Sequence, residues 1–97
     1  MIPVNHAYHL ILDSGQDLTA MLLVEIQYCL PGTTTPVAAP LPATVQNNTE
    51  AYADIPSALN TTEGKWLFRI HANDGLQNYY SEATHVDVMP QWHPWEV

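Results

Sequence analysis

Residues 69 to 88, "RIHANDGLQNYYSEATHVDV", carry the clearest structural pattern in the chain. Apolar and polar residues alternate up to Ala72, the polar group Asn73-Asp74-Gly75 interrupts the alternation, and a second alternating run ends near Val88. A period of two is typical of a β-strand with one buried face, and a short polar segment with a glycine is typical of the turn between two such strands. The stretch is therefore predicted to form an antiparallel hairpin.

The alternating pattern also occurs earlier in the chain. It predicts strands in "AYHLILD" (residues 7 to 13), "LLVEIQYCL" (22 to 30) and "KWLFRIHA" (65 to 72), and a weaker strand in "NTEAYADIP" (48 to 56). Residues 31 to 46 contain several prolines, which favours a crossing segment or a ragged edge rather than a helix. The phase of the strands assigns six side chains to a core shared by two sheets: Val24, Ile26, Tyr28, Trp66, Phe68 and Ile70.

The order of these signals predicts the fold class. Recurrent strands with turns between them, and no capped helix, indicate an all-β domain of antiparallel strands. With 97 residues the chain has the size of one small domain. We therefore expect residues 1 to 88 to form a β-sandwich, either with a reduced strand set or with short edge strands in residues 31 to 46, and residues 89 to 97 to form a C-terminal tail.

The composition excludes several classes of function. The chain has 2 Lys plus Arg against 10 Asp plus Glu, and a formal net charge of -8. Such a chain lacks the basic patch that nucleic acids require and is repelled by anionic membranes. The longest apolar run contains Glu25 and Gln27 and is too short to span a bilayer. We expect neither a nucleic acid nor a membrane as a partner.

Cysteine usage and the N-terminus bear on the compartment. Cys29 is the single cysteine of the sequence, which excludes an intrachain disulfide, and it is interpreted as a small strand side chain rather than as a nucleophile. No basic segment precedes an apolar stretch at the start of the sequence, as it would in a signal peptide. The protein is expected to be made in the cytoplasm, and the glycosylation sequons at Asn47 and Asn60 are interpreted as polar turns.

No motif for catalysis or cofactor binding is visible. The sequence has no glycine-rich phosphate loop, nucleophile elbow or HExxH zinc motif. His71, His85 and Asp87 could approach one another across the hairpin and bind a metal ion, but no His or Cys set has zinc-site spacing, and exposed strand histidines are common. We predict a protein that is not an enzyme and has no cofactor or metal. A metal-dependent β-fold enzyme is the least favoured alternative.

Three segments resemble strands of a known family. "WLFRIHANDGLQNYYSEATHVDV" resembles the closing F–G hairpin of fibronectin type III and related immunoglobulin-like domains, "VEIQYCLPG" resembles the third strand, and "AYADIPSAL" resembles the fifth strand with the corner after it. Trp66 takes the place of the family's corner tyrosine, and residues 6 to 22 have room for one strand where the family has two. The resemblance implies an immunoglobulin-like antiparallel β-sandwich.

The C-terminal segment "MPQWHPWEV" is predicted to be extended and stiff because prolines punctuate its large apolar residues. Tryptophan is favoured at interface hot spots. Met89, Trp92 and Trp95 are therefore predicted to bind a partner, together with Tyr79 and Tyr80. A tail that packs over its own domain is equally open, because apolar termini are often held down.

A single module of this family without an export signal resembles the small decoration and accessory proteins of tailed-bacteriophage virions. The resemblance implies a non-enzymatic structural protein that is made in the host cytoplasm, resides in the virion and binds capsid or other virion proteins, and self-association is compatible with it. The alternative is a carbohydrate- or protein-binding module of a cell-surface or secreted protein, in which Tyr79, Tyr80 and the tail tryptophans form the binding platform.

Overall fold

The computed structural model describes residues 2 to 89. All regular structure in this range is β-strand, and the range contains no helix that could cross a membrane. The prediction of an all-β fold is thus confirmed. The strands are β1 (Ile2–Pro3), β2 (Tyr8–Asp13), β3 (Leu23–Cys29), β4 (Leu41–Pro42), β5 (Thr44–Gln46), β6 (Glu50–Ile55), β7 (Gly64–Asn73), β8 (Asn78–Tyr80) and β9 (Thr84–Met89).

The strands form two sheets. Sheet A contains β1, β9, β7, β3 and β4 in that spatial order, with β8 also paired to β7. Sheet B contains β2, β6 and β5 in that order. The pairs are antiparallel except that β1 runs parallel to β9. The short strands β4 and β5 lie in the proline-rich segment, which therefore supplies one edge of each sheet.

Both sheets contribute to one hydrophobic core. Five of the six side chains predicted for the core are buried, namely Ile26, Tyr28, Trp66, Phe68 and Ile70. The sixth, Val24, is half-buried and packs against them. The strand phase read from the sequence is therefore confirmed for β3 and β7. Sheet B adds Leu10, Leu12, Ala51, Ala53 and Ile55 to the same cluster.

Aromatic rings occupy the sheet A side of the core. The ring centroids of Tyr28 and Trp66 are 5.9 Å apart, and those of Trp66 and Phe68 are 6.3 Å apart. Each such ring buries roughly 150–250 Å² of surface, so these side chains dominate the hydrophobic stabilisation. Sheet B contributes the small Ala51 and Ala53, which leaves room for the rings.

The turn between β6 and β7 binds the N-terminal segment. Asn60 is 1% exposed, and its Nδ2 donates to the carbonyl oxygens of Pro3 and His6, each at 2.9 Å. The Oδ1 atom of Asn60 is buried without a hydrogen-bond partner among residues 2 to 89. The indole Nε1 of Trp66 donates to the Thr62 carbonyl at 2.8 Å. These bonds join the N-terminal segment and the turn to the start of β7.

The predicted hairpin is present, but its return strand is interrupted. β7 pairs with β8 near its end and with β9 near its start, and residues 81 to 83 lie opposite Arg69 and Ile70. The Ile70 N–H donates to Ser81 Oγ at 2.8 Å, and the Ser81 N–H donates to the Ile70 carbonyl at 2.9 Å. The extra residue on the return strand makes a β-bulge. Ser81 Oγ thus replaces a backbone carbonyl as the acceptor for the Ile70 N–H. The alternation of apolar and polar residues in the sequence does not reveal this bulge.

Candidate functional site

The loop between β7 and β8 is held in one conformation by the carboxylate of Asp74. Its Oδ1 accepts the backbone N–H groups of Leu76 at 2.8 Å and Gln77 at 2.9 Å, and its Oδ2 accepts the hydroxyl of Tyr79 at 3.0 Å. Gly75, whose φ of 96° is easily reached only by glycine, donates its N–H to Asn73 Oδ1 at 2.6 Å. The loop is therefore rigid before any partner arrives.

The same bonds affect the ionisation of the loop. The backbone N–H groups of Gln77 and Leu76, with the hydroxyl of Tyr79, hold the pKa of Asp74 below its usual range. The hydrogen bond to Asp74 also raises the pKa of Tyr79. At neutral pH the loop therefore carries an ionised Asp74 that accepts three hydrogen bonds.

This rigid loop displays apolar side chains to solvent. Leu76 is 93% exposed, and Leu22 and Leu23, which lie beside the loop at the start of β3, are 78% and 45% exposed. Leu22 donates its N–H to the Asn73 carbonyl at 2.8 Å, and a Cβ placed on Gly75 would lie 2.8 Å from Leu22 Cδ1. We call Leu22, Leu23 and Leu76 the leucine tip. Exposed leucines grouped on a fixed loop are typical of an interaction site.

A second group of side chains lies on the outer face of sheet A, and we call it the polar ladder: Glu25, Gln27, Arg69, His71 and Tyr80. Arg69 Nε donates to Gln27 Oε1 at 2.7 Å, and the guanidinium carbon lies 4.4 Å from the centroid of the Tyr80 ring. His71 stacks on the same ring, with centroids 4.9 Å apart and an interplanar angle of 16°. These cross-strand contacts join β3, β7 and β8 on the solvent side.

Both ring nitrogens of His71 face acceptor oxygens. Nδ1 lies 2.8 Å from Glu25 Oε2, and Nε2 lies 2.8 Å from Asn78 Oδ1, an oxygen that Asn73 Nδ2 also contacts at 2.8 Å. Burial opposes the charged form, but the hydrogen bonds with Asn78 and Glu25 and the charge of Glu25 outweigh it and raise the pKa of His71. The imidazolium ion satisfies both oxygens, whereas neutral imidazole has one N–H to donate.

The residues considered as metal ligands do not converge. His71 lies opposite Tyr80, whereas His85 lies opposite Leu67, four positions earlier on β7 and thus about 13 Å away along the strand. Asp87 is farther from His71 than His85 is, because it lies beyond His85 on β9. No group of three or more His, Cys, Asp or Glu side chains that could hold a metal ion occurs within residues 2 to 89.

An open pocket of about 180 Å³ lies beside the polar ladder. Gln27, Cys29 and Arg69 line it, together with Thr34 and Pro36. Pockets for drug-sized ligands usually measure about 300–1,000 Å³, so this pocket is suited to at most a single side chain of a partner. Cys29 lies half-buried in β3, in line with its interpretation as a strand side chain.

The residues predicted to bind a partner occupy different parts of the chain. Tyr79 packs against the core, whereas Tyr80 is 51% exposed, because neighbouring residues of a strand lie on opposite faces. Met89 ends β9 beside the start of β7, and the leucine tip lies beyond the other end of β7. Trp92 and Trp95 lie outside the described residues.

The alternation of the sequence does not reveal the leucine tip. The available signal was Leu76 itself, the one apolar residue of the polar turn "NDGLQN". Leu22 was assigned to the start of a strand, whereas β3 begins at Leu23. An apolar residue inside a turn carries little meaning until the exposure of its neighbours is known.

No protein-family model, curated protein or solved structure matches this chain. The leucine tip and the polar ladder are therefore the features of the described residues that bear on function.

Proposed function

We propose that this protein is a non-enzymatic interaction module that binds a protein partner through the leucine tip. The observation that carries the proposal is the 93% exposure of Leu76 on a loop fixed by the Asp74 carboxylate. An ordered loop loses little conformational entropy when it binds, so preorganisation lowers the cost of burying its leucines against a partner.

The chemistry around the tip indicates the kind of partner. Asp74 is ionised beside Leu76, and the chain as a whole carries a formal net charge of -8. A complementary surface has an apolar cleft for the leucines and a basic rim that attracts the acidic module. The same net charge repels other copies at long range and keeps the module soluble before it binds.

We also propose that the two sheets form an immunoglobulin-like sandwich. The orders β2-β6-β5 and β1-β9-β7-β3-β4 support this, because they follow the distribution of strands between the two sheets of such a domain. In this reading Leu76 lies in the F–G loop, and Leu22 and Leu23 lie where the B–C loop enters the third strand. Variable immunoglobulin domains use the loops at that end of the sandwich for recognition, which agrees with a binding role.

The proposed partner is a capsid or other structural protein of a tailed-bacteriophage virion, where the module acts as a decoration or accessory protein. The support is the resemblance of the hairpin and strand segments together with an exposed apolar tip that a large assembly would cover. The rest of the tail, residues 90 to 97, is a second proposed contact, because the chain reaches it at the end of sheet A opposite the leucine tip.

A carbohydrate- or protein-binding module of a cell-surface or secreted protein is the second candidate. The observation that favours carbohydrate binding is Tyr80, an aromatic side chain 51% exposed on the outer face of sheet A. The Tyr80 ring already contacts His71 and Arg69, so less of its π surface is free for a sugar. The leucine tip therefore supports protein binding better than the polar ladder supports sugar binding.

The test is density-gradient sedimentation of the full chain with particles from its native source. Wild-type protein and the apolar control Leu76→Met are expected to migrate with the particles, and Leu76→Asp is expected to remain at the top of the gradient with an unchanged melting temperature. Attachment of Leu76→Asp at wild-type level would exclude the leucine tip as the contact. Binding to an immobilised polysaccharide that is lost in Tyr80→Ala would favour the second candidate.

The tail has its own test. Deleting residues 90 to 97 is expected to weaken attachment to the particle while the melting temperature stays the same, because the described strands end at Met89. A sharp drop in melting temperature would instead identify the tail as a segment that packs on its own domain.

A further inference from the structure

Strand β2 leaves one edge of sheet B open. It is six residues long, and within the described part of the chain it pairs with β6 on one side and with nothing on the other. The other strands at sheet edges, β1, β4 and β5, are two or three residues long. Proteins commonly protect edges with short strands, charged side chains, proline or bulges. β2 has no proline, lysine or bulge, and its one acidic residue, Asp13, is at its end, so its open edge is the natural place for another strand to add.

The hydrogen-bond pattern identifies the backbone groups at this edge. The Ser14 N–H donates to the Thr49 carbonyl at 2.8 Å, in the same register that pairs Asp13 with Glu50. Directly opposed residues of an antiparallel ladder alternate between hydrogen-bonded and non-hydrogen-bonded pairs. Even-numbered residues of β2 therefore bond to β6. The N–H and C=O groups of His9, Ile11 and Asp13 point away from β6, toward the open edge.

We propose that this edge pairs with β2 of a second copy of the chain, antiparallel and across a two-fold axis at Ile11. In this register Ile11 of one copy lies opposite Ile11 of the other, and His9 lies opposite Asp13 in both directions. All three residues then exchange both backbone hydrogen bonds with their partners, which no neighbouring register achieves. Sheet B becomes a continuous six-stranded sheet across the dimer.

The side chains favour a second copy over an unrelated strand. Ile11 is 48% exposed, so self-pairing covers an apolar side chain on each copy. His9 and Asp13 are exposed, and His9 Nδ1 lies 2.7 Å from Asp54 Oδ1 of its own chain. In the two-fold register a second carboxylate, that of Asp13 from the other copy, lies beside the His9 ring. A C2 contact uses one self-complementary patch on both subunits, and β2 is such a patch.

The expected dimer is concentration-dependent. A contact along one strand edge falls below the roughly 1,200–2,000 Å² of a standard stable interface. Two copies with a formal charge of -8 also repel each other, and physiological salt reduces this repulsion to a range of about 8 Å. The monomer–dimer equilibrium should therefore shift toward dimer as salt screens the net charge.

Sedimentation velocity of the full chain over a wide concentration range gives the first test, with Ile11→Pro as the key variant. Proline removes the N–H that faces the open edge but no donor to β6, and edge strands tolerate it at such positions. Wild type and Ile11→Val, which keeps the N–H, are expected to dimerise, and Ile11→Pro is expected to stay monomeric. A wild type that stays monomeric throughout, or a folded Ile11→Pro that dimerises equally, would overturn the proposal.

Disulfide cross-linking gives the second test and does not depend on the proline variant folding. In a Cys29→Ser background, Ile11→Cys places two thiols on the two-fold axis, where Cα atoms of a hydrogen-bonded pair lie about 5.5 Å apart, within disulfide range. Mild oxidation is expected to link Ile11→Cys into a dimer faster than His9→Cys, which meets Asp13 in the proposed register. Equal or slower linking at Ile11 would overturn it. Leu76→Asp should dimerise as wild type does, because Leu76 is not part of the β2 edge. The dimer proposal and the leucine-tip proposal can therefore be rejected separately.

Discussion

Hydrogen bonds serve opposite purposes at the two ends of β7. Before its start, the amide of Asn60 is buried and joins the N-terminal segment to the turn. Beyond its finish, the carboxylate of Asp74 organises a loop whose Leu76 is 93% exposed. Bonds of the first kind satisfy polar groups that the fold has removed from water, and so contribute to stability. Bonds of the second kind fix the shape of a surface, and so contribute to recognition.

The Asn60 end and the Asp74 end of β7 both depend on the aromatic core between them. Replacing a core ring should therefore lower the free energy of unfolding more than any other substitution considered. Phe68→Ala is expected to lower the free energy of unfolding by about 3–5 kcal/mol, because it leaves a cavity among buried rings. Urea denaturation measures this. The control is Leu67→Ala, at a half-buried neighbour on the outer face, which should cost clearly less. Equal losses in the two variants would contradict the strand phase of β7.

The buried end should respond next. Asn60→Ala leaves the Pro3 and His6 carbonyl oxygens without their donor and is expected to cost about 1–3 kcal/mol of unfolding free energy. Thermal melting measures the loss beside Gln77→Ala, an exposed polar control. A loss no larger than that of the control would show that this end is not held by Asn60.

The loop end should lose binding more than stability when Asp74 is replaced by Ala. The variant frees the N–H groups of Leu76 and Gln77, so Leu76 loses its fixed position. Because the folded-state pKa of Asp74 is lowered, its stabilisation is present at neutral pH and is lost as the pH falls through that pKa. Gradient sedimentation at neutral pH and melting curves into the acidic range check both points. Unweakened attachment of Asp74→Ala would show that loop rigidity is unimportant.

The polar ladder should add a small dependence of stability on pH through His71. The folded-state pKa of His71 is raised, so its contribution to stability is fully present below the unfolded pKa of about 6.5 and is lost as the pH rises through the folded value. Urea denaturation at pH 6 and at pH 8 should show wild type losing stability between them and His71→Gln losing less. If His71→Gln loses more unfolding free energy than wild type between these pH values, His71 does not cause the pH dependence of wild type. The Glu25–His71 bond would then be rejected as its source.

Substitution of Leu76 is expected to have the smallest effect on stability and the largest effect on binding. Leu76→Ser removes a side chain that is 93% exposed, and surface substitutions of this kind usually change the unfolding free energy by less than about 0.5 kcal/mol. Its melting curve should overlay that of wild type while attachment is lost. A clear destabilisation would mean that Leu76 serves the fold and would remove the contrast between the two ends.

The alternation of apolar and polar residues predicted the strands and which of their faces is buried, because the buried face of a strand is apolar and this shows in the local sequence. Trp66, Phe68 and Ile70 could be assigned on that basis. The parallel pairing of β1, the bulge at residues 81 to 83 and the open edge of β2 depend on which strand lies beside which, and no period within one segment encodes a neighbour.

The candidate site was less predictable than the core. Tyr79 and Tyr80 were predicted to bind a partner because they are aromatic. In the structure Tyr79 packs against the core, and one face of the Tyr80 ring stacks on His71 of the polar ladder. Leu22 and Leu76 come together only because the β7–β8 loop lies beside the start of β3. Exposure of an apolar side chain is a property of the assembled surface and leaves little trace in the sequence.

The bonds of the β7–β8 loop also bear on how the protein ages. Asp-Gly sequences convert to isoaspartate when the backbone nitrogen of the glycine attacks the side-chain carboxyl carbon of the aspartate, a water molecule leaves, and the resulting succinimide is hydrolysed at its α-carbonyl carbon. Here the Gly75 nitrogen donates to Asn73 Oδ1 at 2.6 Å, and the Asp74 carboxylate stays ionised, its oxygens engaged by other donors. The folded loop therefore protects the one Asp-Gly bond in the chain from a spontaneous reaction that would lengthen the backbone beside Leu76. The hydrogen bonds that fix the conformation of the β7–β8 loop therefore also slow its chemical degradation.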